Sequence, residues 1–366
     1  MDEFEACLAL RHTKGLGART WKRLLEAFGS AARAVEQHKN WSRRRLTSVR
    51  VEGEFASGAW REKAGAEKKQ ADALGLRRVL FRDESFPALL REIPNPPLFL
   101  YYLGDVSLMA RPCVAVVGSR QSSGYGRQMA DEIARSLSRS GLCVVSGFAH
   151  GIDRAAHQAA AAEVGGSIAV LGTGLDLIYP ASNKDLWRLM SEKGLIVSEF
   201  APGTRPEGTN FPHRNRIVSG LSLGVLVVEG AVGSGSLITA ELALAQNREV
   251  FALPGPATMK TFQGCHQLIR QGACLVQCGD DIVRELQPRL GSFVPPAALV
   301  APGRPLPRDP DHLALFTVLQ EGGPVHVDVL GRRSGFTAEK VSATLLFMEL
   351  EGLVRQLPGM YYELAT

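Results

Sequence analysis

The stretch VAVVGSRQSSGYG, residues 114–126, decides the fold. Four apolar residues, Val114 to Val117, stop at Gly118, and a helical pattern follows over Arg127–Ser140. An apolar run without polar alternation marks a strand covered on both faces. The same unit recurs along the chain. Leu142–Val145 runs into Ser146-Gly147, Ile168–Leu171 into Gly172, and Leu195–Val197 into Ser198-Glu199. Val225–Val228 then runs into Glu229-Gly230 and Val250–Leu253 into Pro254-Gly255, with helical stretches at Ala155–Glu163 and Leu237–Ala245. Such alternation predicts an α/β fold with a doubly wound, mostly parallel, Rossmann-like sheet.

Upstream, Trp21, Leu24, Leu25 and Phe28 fall at helical spacing, and Gly29 is positioned to stop that helix. The preceding Gly15-Leu16-Gly17 turn suits either a simple helical hairpin or a helix-hairpin-helix that offers amides to phosphate. A charged helix is expected over 60–75, then strands at Arg78–Phe81 and Leu98–Leu103. Downstream, prolines from Pro288 to Pro310 read as an extended linker. His312–Gln320, Val325–Leu330 and Thr337–Glu351 read as helices, and Leu353–Leu357 with Met360–Leu364 as a hairpin: the outline of a winged helix. The expected divisions are a helical domain at 1–75, the sheet domain at 76–287, a linker at 288–310 and the winged helix at 311–366.

At 366 residues, 45% hydrophobic and 22% charged, the composition is that of a multidomain globular chain. No apolar run approaches the roughly 18 residues of a membrane span, so no membrane insertion is expected. The acidic start, Met1-Asp2-Glu3, is unlike an export signal, and the six scattered cysteines make no Cys-x2-Cys pair. A reduced, cytoplasmic protein without structural zinc is the simplest expectation.

Charge is uneven. Residues 1–79 hold 17 Lys and Arg against 10 Asp and Glu, whereas 80–287 and 288–366 are each at −1. The basic block would either attract polyanions or serve only as a solvated face. The expected recognition helix, Thr337–Glu351, carries Lys340 against Glu339, Glu349 and Glu351, so it should be repelled by phosphate and contact protein instead.

In an open parallel sheet, ligands bind beyond the carboxyl ends of the strands. Those ends carry Gly118–Gly126, Ser146–Asp153, Gly172–Asp176, Phe211–Arg216 and Gly233–Thr239. Glycine amides at helix starts hold phosphate, and Arg120, Arg214 and Arg216 add bidentate donors. A phosphate-bearing ligand is expected. NAD is disfavoured because the second strand ends in Ser146-Gly147 instead of an acid, and Gly235-Ser236-Leu237 lacks a P-loop lysine. No cofactor or metal is therefore expected. His150 and His157 read as structural histidines, and Asp153 and Asp176 as caps or loop braces. Tyr125 and Tyr179 either stack on a base or pack.

The motifs GSRQSSGYG (118–126), SGFAHGID (146–153), GTGLDLIYPASN (172–183), SEFAPGTRPEGTNFPHRNRIVSGLS (198–222) and VVEGAVGSGSLITAELALAQNREVFALPG (227–255) resemble the DNA-processing protein A family, DprA or Smf. The likeness covers roughly 76–285. It extends more loosely to a sterile-alpha-motif-like N-terminal domain and a C-terminal winged helix. It implies a non-enzymatic, homodimeric recombination mediator that protects incoming single-stranded DNA and loads RecA during natural transformation, bypassing single-strand binding protein. By the same resemblance, the DNA contacts are Ser119, Arg120, Gly147, Lys184, Arg205, Asn210, Phe211, Arg214, Asn215, Arg216, Gly233, Ser234, Gly235 and Ser236, and the dimer helix lies near Cys265–Gln271. Phe211 is the stacking candidate among them. The competing reading is a nucleotide phosphoribohydrolase of the lysine-decarboxylase-like class, which would use Glu241.

Overall fold

The computed structural model describes residues 1–291, 309–320, 324–351 and 353–364. The chain divides into two compact units, Met1–Ala298 and Leu299–Thr366.

A nine-stranded sheet organises the first unit. Its strands are β1 (Arg77–Leu80), β2 (Phe99–Gly104), β3 (Cys113–Gly118), β4 (Cys143–Ser146), β5 (Ser167–Val170), β6 (Leu195–Ser198), β7 (Gly224–Glu229), β8 (Glu249–Ala252) and β9 (Cys274–Leu275), in the spatial order β1-β2-β6-β5-β4-β3-β7-β8-β9. From β3 to β9 every pairing is parallel, while β1 and β2 add an antiparallel edge. The sequence-predicted strands all form. The short β9 was not expected, since two residues carry no periodic pattern.

The strands β4 to β7 are buried along their whole length, as their uninterrupted apolar text requires. Strand order runs outward in opposite directions from β3, toward β4 on one side and β7 on the other. This is the topological switch point. The β3–β7 register shifts between Val117 and Gly118, an irregularity at the mouth of the crevice across which Gly118 still pairs with Glu229.

Five helices precede the sheet: Glu3–His12, Ala18–Phe28, Ala31–Glu36, Val49–Ala56 and Arg61–Ala73. Asp2 and Glu5 form a capping box at the first. Gly29 ends the second in a left-handed conformation (φ 85°) that glycine adopts without strain. These helices share one continuous apolar core with the sheet, and Phe4 stands edge-on to Phe99 at 5.1 Å. Glu67 is the polar bolt of the joint, accepting from Arg11 (3.0 Å) and the Tyr101 hydroxyl (2.9 Å) and meeting His12 at 2.7 Å.

The last helix of the unit, Gly279–Leu290, continues through Pro288. Residues 292–308, most of the expected linker, lie outside the described residues.

The second unit has its own core around Leu315, Phe316, Leu330, Val341, Leu345 and Met348. Its helices are Pro310–Gln320, Val327–Ser334 and Ala338–Leu350, followed by the hairpin β11 (Val354–Leu357) and β12 (Tyr361–Leu364). It is a winged helix. Val325 and His326, expected to open a helix, instead form β10 against Tyr362 and Tyr361. The hairpin presents an edge that this short segment completes.

Candidate nucleic-acid interface

The carboxyl ends of β3, β4 and β7 line a solvent-open cleft of about 1240 Å³, the open space at its mouth included. Ser119, Arg120, Gly147, Phe211, Arg214 and Asn215 line it on one side. Ser234, Gly235 and Ser236 line it at the start of the helix Gly235–Ala245. A recess of about 460 Å³ continues from it, shares Arg120, Gly147, Phe211 and Arg214, and adds Tyr179 and Gly172.

Buried groups hold the first glycine loop rigid. Ser119 donates its amide to the Glu229 carbonyl (2.7 Å), and Ser123 donates its amide (2.9 Å) and hydroxyl (2.8 Å) to the wholly buried Glu229 carboxylate. The Ser123 hydroxyl in turn accepts from Gly126 and caps the helix Gly124–Arg139. Arg120 is left exposed, its guanidinium 4.9 Å over the Phe211 ring. Tyr179 packs on Phe211 at 5.8 Å, its ring tilted 33°. The three side chains make one aromatic and cationic surface.

Arg214 is the floor. It is 4% exposed, donates to the Val170 carbonyl, leaves Nε without a partner and forms no ion pair among the described residues. Burial lowers its pKa to about 10, with Asp153 opposing and Arg120 adding to the shift. Asp153 is itself buried and raised by desolvation, while Arg214 pulls the other way. It braces the second loop by accepting from the amides of Gly147 (3.1 Å) and Ala149 (3.3 Å). His157 lies buried against Ser167 (2.8 Å), its pKa lowered to about 3 by burial and by Arg214. His157 is thus a neutral packing residue.

The helix Asn210–Leu221 was not anticipated, although Pro212 sits in its first turn, where proline is tolerated. Its period separates the expected arginines. Phe211, Arg214, Asn215 and Val218 line the cleft. Arg216 lies outside that lining, 2% exposed, bonded to Glu199 at 2.5 Å and to His213 at 3.3 Å. Burial would raise Glu199, but Arg216 and His213 prevail and hold it at about 2.

Lys184, Arg205 and Gly233 are exposed and outside the cleft lining, as is the half-buried Asn210, whose side-chain amide donates to the Arg205 carbonyl at 3.4 Å. Thr239, the last residue of the expected strand-end stretch though not an expected contact, lines the cleft, as does the unanticipated Thr261, whose buried hydroxyl has no hydrogen-bond partner among the described residues. A lone threonine carries no spacing signal. Glu241, the acid of the competing hydrolase reading, is exposed and does not line the cleft.

Fold and cleft together define a Rossmann-like protein with an arginine- and glycine-lined cleft at its switch point. Residues 77–287 match the family described as DNA recombination-mediator protein A, and residues 299–360 match the DprA winged helix domain. The chain belongs to the DprA family. It is 38% identical to Protein Smf of Synechocystis over 312 residues, covering 77% of this chain and 78% of the relative. It is 45% identical to the DNA processing protein DprA of Streptococcus pneumoniae over 205 residues, covering 56% and 72%. The solved structure of the pneumococcal protein aligns with a TM-score of 0.68 at 34% identity, over 78% of this chain and 98% of that one. A Helicobacter pylori structure, described as showing a single-stranded DNA binding mode of DNA processing protein A, aligns at 0.53 and 29% identity, over 58% and 97%. No described helix is long and apolar enough to cross a membrane.

Proposed function

We propose that this chain grips single-stranded DNA in the switch-point cleft, protects it, and loads RecA onto it in competition with single-strand binding protein. It would do so as a cytoplasmic homodimer, without catalysis, during transformation or homologous recombination. Arg214 carries the reading: a buried guanidinium that forms no ion pair among the described residues, with Asp153 nearby but bonded to the Gly147 and Ala149 amides, is completed by a phosphate.

Ser119, Arg120, Gly147, Asn215 and Gly233–Ser236 would follow the backbone, and Phe211 would carry a base, a sequence-tolerant combination. Lys184, Arg205 and Asn210 would serve the approach, and Arg216 would act by holding the helix through Glu199. A flexible strand can enter such a cleft where a stiff duplex cannot. The proposed dimer contact is the helix Gln263–Arg270.

The test is anisotropy with oligothymidine and duplex DNA, followed by RecA strand exchange on strands coated with single-strand binding protein. Preference for the single strand and faster exchange are expected. Equal binding of duplex, or release of free base from a nucleoside monophosphate, would overturn the reading.

A further inference from the structure

A second recess, of about 410 Å³, opens on the same edge of the sheet. Strand β2 runs antiparallel to β6 with Tyr101 opposite Ser198, so Leu98 and Phe99 lie beside Glu199 and Phe200, at the carboxyl end of β6. Leu98, Phe99 and Phe200 form its apolar wall, and Arg11, Trp21 and His213 bring polar groups. One helical turn divides the two spaces, since Phe211 and Arg214 line the cleft while His213 lines this recess.

Its chemistry is one-sided. The Glu199 carboxylate is already bonded to Arg216 and lies 3.3 Å from His213. Arg11 is held by Glu67 and lies 5.3 Å over the Phe99 ring. Trp21 Nε1 is shielded from solvent and has no hydrogen-bond partner among the described residues. Buried indole N–H groups ordinarily find an acceptor. Aromatic walls, one spare donor and a committed acceptor fit a flat, acceptor-bearing ligand. The helix that supplies Trp21 also carries exposed Arg19 and Arg23, and Arg23 donates to the carbonyl of Arg45 (2.7 Å) in the exposed run Arg43–Arg45.

We propose that this recess is a second base-binding subsite. The strand crosses the first turn of Asn210–Leu221, one unpaired base enters between the aromatic walls as the Trp21 indole turns its shielded Nε1 toward an acceptor on that base, and the phosphates continue to the arginines of the N-terminal helices. The inference rests on reading the cleft as a single-strand site, and it gives the basic N-terminal block a role on the same strand.

Anisotropy titrations of the full chain with oligothymidines of about 5 and about 15 nucleotides, bracketing part of the range of single-strand site sizes, test it. Trp21→Ala is expected to weaken the longer oligomer roughly five- to hundredfold, the range for one lost base contact, and to leave the shorter one unchanged. Trp21→Phe keeps the packing and removes only the N–H, and is expected to weaken the longer oligomer about two- to tenfold, the net worth of one hydrogen bond. It decides the matter should the alanine variant fail to fold. Wild-type affinity for the longer oligomer in the phenylalanine variant, or equal loss at both lengths, overturns the subsite alone. Failure of the unmodified protein to bind either length overturns the cleft reading and the subsite together.

Discussion

The guanidinium of Arg214 occupies the space into which a side chain at position 147 would project: a Cβ on Gly147 would lie 2.5 Å from both of its terminal nitrogens. Glycine is therefore required there for close approach and not for a turn. Gly147→Ala must push the buried charge aside. Because a hydrogen bond to a charged group contributes about 1.5–3 kcal/mol, single-strand affinity should fall at least about tenfold while the melting curve stays cooperative. Unchanged affinity in a folded variant would show that Arg214 does not serve the ligand.

Arg120 lies over Phe211 and faces the cleft. Arg120→Ala should lower affinity and reduce the slope of log K against log salt by about 0.7, the share of one phosphate on a single strand. Salt-dependent titration measures both quantities, and an unaltered slope would place the strand elsewhere.

Glu67 joins the N-terminal helices to the sheet through Arg11, His12 and Tyr101. Burial would raise its carboxyl, but His12 and Arg11 hold it below the ordinary value. Removing one partner of a buried charged cluster costs about 3–5 kcal/mol, so Glu67→Ala should shift the urea midpoint strongly downward. A shift within the error of the measurement would mean that the apolar contact of Phe4 with Phe99 carries the joint.

Acid stability should decline in two windows. His157 binds a proton in the unfolded chain near pH 6.5 but in the folded one only near 3, so stability is lost as pH falls below about 6.5. The contribution approaches about 1.4 kcal/mol per pH unit, and His157→Gln should flatten that slope. Glu199 is lowered to about 2, so its contribution is complete above the unfolded carboxylate value of about 4.3 and disappears only as pH falls from there toward 2. Denaturation profiles of His157→Gln that match wild type between pH 6 and 4 would contradict the assignment of a neutral buried imidazole.

On the winged helix, Lys340 is committed to Asp311 at 2.8 Å and lies over Phe336, while Leu346 and Phe347 are exposed on the same helix. A segment spanning 309–366, which has its own core, should not bind duplex DNA at submicromolar concentration. Electrophoretic mobility shift with a short duplex settles this, and tight binding there would restore a DNA-reading role.

The amino-acid order alone settled the repeating layer. Uninterrupted apolar runs ending in glycine must be strands covered on both faces, and their ends must carry the binding loops, because backbone period and burial are local properties. The same local logic placed Gly29 at a helix end. It could not distinguish Arg214 from Arg216, two residues apart in text, because an unrecognised helix turns one into the cleft and the other against Glu199. Strand order, the antiparallel β1–β2 edge and the Glu67 joint depend on partners remote in the chain, which periodicity does not encode. Tertiary packing alone decided which charges are left unsatisfied: burial takes water from Arg214 while no described carboxylate forms an ion pair with it, whereas Arg120 stays exposed.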